Sequence, residues 1–156
     1  MATKPNPNPN FTQQANVQFV AVTAANTSSE GGGTVGTSIF LAFTPGPNDS
    51  YVDFCRWMPT ASAASTSTTP TVGRIFISTV NTGSTTSANT FLIDEVVLPS
   101  VTADSTSIAN NPIDRPMNFR IQGSANTNNS QYLMATNHAA PASNTQWILV
   151  TFASDY

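Results

Sequence analysis

The sequence predicts an all-β protein: a single β-sandwich, jelly-roll-like, with about eight strands and an extended N-terminal arm. Short segments rich in Val, Ile, Thr, Phe and Tyr alternate in hydrophobicity with a period of two residues. Clusters of Gly, Pro, Asn, Asp and Ser separate these segments and are typical of turns. No window combines helical spacing of apolar residues with helix caps, so no helix is expected.

The strand pattern recurs along the chain, and turn residues bound each segment. The predicted strands cover residues 17–22, 34–43, 50–58, 72–80, 90–98, 117–121, 131–136 and 146–152. A long polar loop follows Pro99, with a further short strand expected near Val101. The strand at 50–58 carries large side chains on both faces, so we expect one face in the core and the other against a neighbour.

The length of 156 residues is that of one ordinary domain. We divide it into an N-terminal arm, residues 1–16, and a sandwich domain, residues 17–156. Proline alternates with asparagine from Lys4 onward, which favours an extended chain without backbone hydrogen bonds. The arm is either a docking arm, with Lys4 and Phe11 as contact residues, or a disordered tail.

The composition excludes several classes of function. Charged residues make up only 8% of the chain, and Lys4 is its single lysine, so the cation cluster needed to bind nucleic acid is absent. No segment approaches the roughly 20 apolar residues of a membrane span, and the polar N-terminus is unlike a signal peptide. Cys55 is the single cysteine, which excludes an intrachain disulfide and a multi-cysteine zinc site. We expect synthesis in a reducing cytoplasm.

Candidate catalytic residues are few. His138, the single histidine, follows a predicted strand in a loop, and no Gly-x-Ser-x-Gly elbow accompanies it. Asp94 and Glu95 are adjacent on a strand, where neighbouring side chains point to opposite faces, which argues against a paired-carboxylate glycosidase. Phosphate, calcium and dinucleotide motifs are also missing from the sequence. We therefore predict a non-enzymatic protein without catalytic residues, metal or cofactor.

Charges on three consecutive predicted strands need an explanation. Asp53, Arg56, Arg74 and Glu95 lie among apolar residues, where charges are seldom buried unless they are paired. Cross-strand ion pairs within the subunit, such as Asp53 with Arg74, are one explanation. The alternative is that Arg56 and Arg74 contact an adjacent subunit.

Several segments together resemble small virion-associated proteins of tailed phages and prophages. The resemblance spans most of residues 33–156 and rests on strand patterns at 33–36, 43–56, 73–77, 92–99 and 153–156. In this chain Ser154 stands where that family has a glycine near its Asp-Tyr or Asp-Phe terminus. The resemblance implies a capsid decoration (cement) protein or a tail or fibre component, with no catalytic residues to carry over.

The expected function is accordingly that of a structural virion protein, which is made in the host cytoplasm and stabilises a phage head. Its expected partners are the major capsid protein and other copies of itself, with a trimer suited to a threefold capsid position. The alternatives are a tail-fibre or receptor-binding module and a carbohydrate-binding β-sandwich. Trp57, Trp147, Tyr51 and Tyr132 could form a sugar site, but their strand positions favour the core. A hydrolase is the least favoured alternative.

Overall fold

A computed structural model describes residues 14–63, 66–103, 111–125 and 130–156, and the regular structure within these ranges is entirely β. The strands are β1 (Gln14–Val22), β2 (Gly33–Thr34), β3 (Phe40–Phe43), β4 (Ser50–Ala61), β5 (Thr66–Ser67), β6 (Thr71–Ser78), β7 (Ser84–Thr85), β8 (Thr90–Leu98), β9 (Thr102–Ala103), β10 (Ile113–Ile121), β11 (Tyr132–Asn137) and β12 (Thr145–Asp155). In the described ranges no helix is long and apolar enough to cross a membrane. Lys4 and Phe11 lie outside the described residues.

Eight of these strands form two four-stranded antiparallel sheets. The first sheet has the order β1-β12-β4-β10 and the second the order β3-β11-β6-β8, while β2-β7 and β5-β9 are two-residue pairs. Counted along the chain, the eight strands run first-eighth-third-sixth in one sheet and second-seventh-fourth-fifth in the other. This is the jelly-roll order, built from two Greek keys. The predicted all-β sandwich is confirmed.

The core lies between the two sheets, where alternate residues of each strand meet. Trp57 of β4 and Trp147 of β12 are completely enclosed there, as their strand positions predicted. Around them pack the aliphatic and aromatic side chains Val22, Phe43, Val52, Ile75, Leu98, Ile121, Leu133 and Leu149. Tyr51 and Tyr132 are only half-buried and lie outside this cluster.

The outer face of the second sheet has its own cover. Phe76 of β6 and Met134 of β11 point away from the core and form a small cluster with Ile39. The segment at 26–39 passes over them, and Gly31 comes so close that an added Cβ would lie 3.1 Å from the Phe76 ring. The chain therefore shields this apolar surface from water.

Polar contacts close both open sides of the sandwich. On one side the Gln18 amide donates to the Thr44 carbonyl at 2.7 Å and accepts from the Thr44 N–H at 3.0 Å, joining β1 to the end of β3. On the other, Arg115 Nε of β10 donates to an Asp94 carboxylate oxygen of β8 at 2.7 Å. Each contact links the first sheet to the second, so the two sheets are tied at both margins.

Several predicted segments differ from the observed strands. β10 begins at Ile113, four residues before the predicted start of that strand at residue 117. The predicted strand at 34–43 is divided, because Thr34 O accepts hydrogen bonds from the next turn and Gly36 adopts a left-handed conformation with φ +81°. β1 begins at Gln14, three residues before the predicted start of the sandwich domain at Val17. The short strand expected near Val101 is present as β9, paired with β5.

The predicted ion pair between Asp53 and Arg74 is wrong. β4 and β6 belong to different sheets, so the two side chains are not cross-strand neighbours. Asp53 occupies an irregularity in the pairing of β4 with β12 and is exposed to solvent. Arg74 pairs instead with Glu95 on β8, the strand beside its own, with Arg74 Nε 2.9 Å from Glu95 Oε1.

Candidate protein interface

The outer face of the first sheet is largely apolar and carries one ion pair. Strand register places its outward side chains in three rows that cross the sheet. These rows are Ala21, Ile148 and Met58; then Phe19, Val150, Arg56 and Asp114; then Val17, Phe152, Phe54 and Pro116. We call these eleven residues the outer patch. None of them belongs to either buried cluster of the described chain.

The size of the outer patch is close to that of functional patches on other proteins. With strands about 4.8 Å apart and outward residues about 6.7 Å apart along a strand, its footprint is on the order of 350 Å². The largest apolar patch on a typical monomer is roughly 300–600 Å² and often has a function. Phe19 is 74% exposed and Val17 53%, so β1 contributes the most accessible part.

An aromatic pair with an arginine beside it lies on the two central strands of the outer patch, β12 and β4. The Phe54 and Phe152 rings stack with centroids 4.3 Å apart and planes 13° apart. The Arg56 guanidinium lies 5.5 Å from the Phe54 centroid and 5.7 Å from that of Phe152. These distances are within the range of cation–π contacts, so the two rings hold the guanidinium against the apolar surface.

The charge of Arg56 is neutralised in place. Its Nε and Nη2 donate to the two carboxylate oxygens of Asp114 at 2.6 and 2.8 Å. These hydrogen bonds lower the pKa of Asp114 and raise that of Arg56, so both groups stay ionised near neutral pH. A partner that covers the outer patch would therefore meet a preformed ion pair with no net charge.

The candidate contact residues fall in different environments. Arg56 lies within the outer patch. Arg74 is only 7% exposed, and its guanidinium binds Glu95 and the carbonyl of Asn26, which leaves little of it for a neighbouring subunit. Lys4 and Phe11 lie outside the described residues.

The candidate catalytic residues are not brought together. Asp94 binds Arg115 across the open side of the sandwich, whereas Glu95 binds Arg74 within the second sheet. His138 follows β11, and its backbone N–H donates to the Val72 carbonyl. Within the described ranges no three His, Cys, Asp or Glu side chains lie close enough to hold a metal ion.

Cys55 lies on β4 with its thiol inside the core. It is completely buried and unpaired, as predicted for a cysteine that packs like a small hydrophobe. Burial raises the pKa of the thiol to about 12, against a weaker opposing effect of its contact with Thr151, whose Oγ1 lies 3.7 Å from the sulfur. The thiol is therefore neutral and unreactive in the folded protein.

One polar cluster escaped the sequence analysis. Asp49, in a left-handed conformation with φ 80°, is buried and accepts from the Gly123 N–H at 2.7 Å and from Arg120 Nε at 2.8 Å. Arg120 also lies 4.8 Å from the Tyr156 ring centroid. The cluster ties the turn before β4 to the loop after β10, which is a structural task.

Two depressions of about 350 Å³ each flank the first sheet. One lies where β4 ends and β12 begins and is lined mostly by polar residues, Thr60, Ser62, Asn144 and Gln146 among others. The other is apolar and lies between β10 and the second sheet, lined in part by Ile77, Ile93, Met117 and Phe119. Neither contains an exposed tryptophan, because both tryptophans are in the core.

Comparison with known proteins gives structural neighbours from two viruses. No family model matches the chain, and no curated protein matches it in sequence. A chain in the structure of empty-head turnip yellow mosaic virus aligns over 99% of this chain and 87% of its own length, at 14% identity and TM-score 0.33. A chain in the structure of the infectious bursal disease virus Gx strain aligns over 98% of this chain and 44% of its own, at 8% identity and TM-score 0.20. The jelly-roll assignment rests on the strand order, independently of either superposition.

Proposed function

We propose that this protein is a structural component of a virus particle, and specifically a capsid decoration (cement) protein of a tailed-phage head. The outer patch is the observation that carries the proposal. It is a flat apolar face on a rigid jelly roll, a fold used by viral capsid proteins. The resemblance of residues 33–156 to small tailed-phage virion proteins points to the phage in particular.

The outer patch supplies a moderate driving force for attachment. The nine apolar residues of the outer patch account for on the order of 290 Å² of its footprint. Covering that area contributes roughly 7 kcal/mol before the costs of association. Those costs amount to roughly 4–15 kcal/mol, so one patch gives weak binding by itself. Simultaneous attachment of several linked copies raises the overall affinity without new contacts. Weak binding by each copy, strengthened by linkage of several copies, is what a homo-oligomer that decorates a repeating lattice requires.

In this proposal the outer patch lies against the major capsid protein. The ion pair of Arg56 with Asp114 exists before binding, so covering it with the capsid protein leaves no unpaired charge. The N-terminal arm, with Lys4 and Phe11, adds a second contact with the capsid or with neighbouring copies. The protein is made in the host cytoplasm and joins the particle there.

A binding experiment on purified particles tests the proposal. Particles from a deletion strain are mixed with the wild-type protein or with a double variant, Phe54→Ser with Phe152→Ser, and bound protein is measured after sedimentation. We expect hundreds of wild-type copies per particle and a loss of at least tenfold in affinity for the variant. The control is Phe91→Ser on β8, which removes a more exposed ring, 73% accessible, outside the outer patch.

Two results would contradict the cement role. One is retention of full affinity by the double variant, with its folding verified by circular dichroism. The other is a copy number of only a handful per wild-type particle, which would indicate a tail location instead.

The second candidate function is a receptor- or carbohydrate-binding module of a tail fibre. Jelly rolls also occur in lectins, and the polar depression lined by Thr60, Ser62, Asn144 and Gln146 offers hydroxyl and amide groups to a glycan. Burial of Trp57 and Trp147 removes the strongest stacking platforms. Glycan-array binding that is lost in Asn144→Ala, together with a low copy number, would favour this candidate over the cement role.

A further inference from the structure

The four edge strands of the sandwich are not equally protected. β1 and β10 end the first sheet, and β3 and β8 end the second. β10 carries three charged residues and a proline, β8 carries two acidic residues, and each has an irregularity in its pairing. β3 is only four residues long and largely buried. Charges, proline, irregular pairing and short length are the usual means by which edge strands avoid pairing with other chains.

β1 has none of these protections. It is nine residues long, with the sequence Gln-Ala-Asn-Val-Gln-Phe-Val-Ala-Val, and contains neither a charged residue nor proline. Its register with β12 is unbroken from Gln14 to Val22. No described residue pairs with its other edge, where alternate N–H and C=O groups face outward.

We propose that this edge binds a second copy of the chain, with β1 pairing antiparallel to β1 of the second copy across a twofold axis. The register that pairs all nine residues places Gln18 on the axis and Gln14 opposite Val22. On the outer face it places Phe19 of each copy opposite Val17 of the other. The first sheets of the two copies then form one continuous eight-stranded sheet.

The chemistry of β1 favours its own copy over other occupants. A twofold contact brings the same surface against itself, so any charge near the axis would face a like charge. β1 is uncharged, which makes it compatible with itself, whereas self-pairing of β8 over its full length would place Asp94 opposite Asp94. Self-pairing of β10 would be weakened by Pro116, which has no N–H to donate. The pairing also gives Phe19, which is 74% exposed, an apolar cross-strand neighbour.

The rest of the subunit is already arranged for this contact. Gln18 is held by two hydrogen bonds to the Thr44 backbone, so β1 needs no rearrangement to present its edge. The proposal does not depend on the virion role, because it concerns the purified protein in solution. It gives a dimer, whereas the sequence analysis favoured a trimer.

Sedimentation velocity of the purified full-length chain is the first test. We expect a mass of twice 16.4 kDa at micromolar concentration, and half that mass for the double variant Val17→Lys with Phe19→Lys. The matched control is Phe91→Lys with Val97→Lys on β8, two side chains that are 73% and 72% exposed. The control should remain dimeric, and circular dichroism should show that both variants are folded.

Charge complementation separates a lost contact from a damaged fold. A second double variant, Val17→Glu with Phe19→Glu, should also be monomeric because like charges face each other across the axis. Mixed in equal amounts, the lysine and glutamate variants should form heterodimers, since each lysine then faces a glutamate. Failure to form heterodimers from two folded monomers contradicts the pairing.

Cysteine cross-linking tests the register. Ala15 and Ala21 should face each other across the axis, at the short Cα separation that a disulfide requires. Mixed Ala15→Cys and Ala21→Cys proteins should form a disulfide-linked dimer on mild oxidation, and Ala15→Cys alone should not. Cys55 does not interfere because it is buried.

Other occupants of the edge would give different results. A monomeric or trimeric wild-type protein overturns the proposal. If a chain beginning at Gln14 is dimeric while the full chain is monomeric, the edge is covered by the protein's own residues 1–13, and the proposal is again wrong. A wild-type dimer whose mass is unchanged in the lysine variant would place the contact elsewhere.

Discussion

Replacing Gly73 with alanine tests how closely the two sheets approach. Gly73 lies on β6 in the second sheet, and Trp57 of the first sheet packs against its backbone. An added Cβ would lie 2.9 Å from Trp57 Cζ2 and 2.8 Å from Leu98 Cδ1, closer than carbon atoms pack without strain. Because Trp57 is completely buried, its indole has no free space into which to move.

The sign of the effect follows from two opposing contributions. Overpacking a core costs roughly 1–3 kcal/mol. Glycine-to-alanine replacement also restricts the unfolded chain, which stabilises the protein by about 0.4–1 kcal/mol where the new side chain fits. We expect overpacking to dominate, with a net loss of about 1.5 kcal/mol in the free energy of unfolding. For a domain of this size that loss lowers Tm by roughly 3–6 °C.

Urea unfolding followed by circular dichroism measures this loss. The control is Gly32→Ala, where the nearest atom to the added Cβ is the Ser28 hydroxyl at 3.5 Å, so no destabilisation by crowding is expected. In a protein that already carries Trp57→Phe, the smaller ring leaves room for the added methyl group. There Gly73→Ala should lower the free energy of unfolding by at least about 1 kcal/mol less than in the wild type, because the two residues are in contact. If Gly73→Ala leaves stability unchanged or raises it, the close packing of Trp57 on β6 is refuted.

Two further predictions concern buried polar groups. Asp49→Ala should lower the free energy of unfolding by about 3 kcal/mol, because two charge-assisted hydrogen bonds are lost and alanine disfavours φ 80°. Asp49→Asn should cost about half as much, and equal losses in urea titrations would contradict this account. Burial raises the pKa of Cys55 from 9.0 to about 12, so the thiol ionises at a lower pH in the unfolded chain than in the folded protein. The free energy of unfolding should therefore be unaffected by this thiol below pH 9 and should fall between pH 9 and 12. The fall should be at most about 1.4 kcal/mol per pH unit; if it is as steep in Cys55→Ala, the thiol is not its cause.

Local patterns in the sequence predicted the strands but not their partners. The alternation of apolar residues located β4, β6, β8 and β12 and correctly placed Trp57 and Trp147 inside. The large side chains on both faces of β4 also predicted bulky residues on its outer face, and Phe54 and Arg56 lie there. A side chain's face follows from its own strand, which is why these features are visible without the structure.

The features that were missed depend on residues distant in sequence. Asp49 and Arg120 are 71 residues apart, so their pairing leaves no local pattern. The nearest signal was an aspartate ending a proline-rich turn, a position where a left-handed conformation is tolerated. The predicted partner of Asp53 was wrong because β4 and β6 lie in different sheets. The alternation of apolar and polar residues within a strand does not show which strand lies beside it.

The strand order also determines when β1 can find its partner during synthesis. β1 pairs with β12, and the hydrogen-bonded side chains of Asn16 and Asp155 are 139 residues apart. At roughly 5–20 residues per second, a ribosome needs on the order of ten seconds to make the intervening chain. Throughout that interval both edges of an uncharged apolar strand are unpaired. During that time β1 can pair with another nascent chain as readily as it later pairs with β12, so slow long-range closure of this sheet exposes the chain to aggregation.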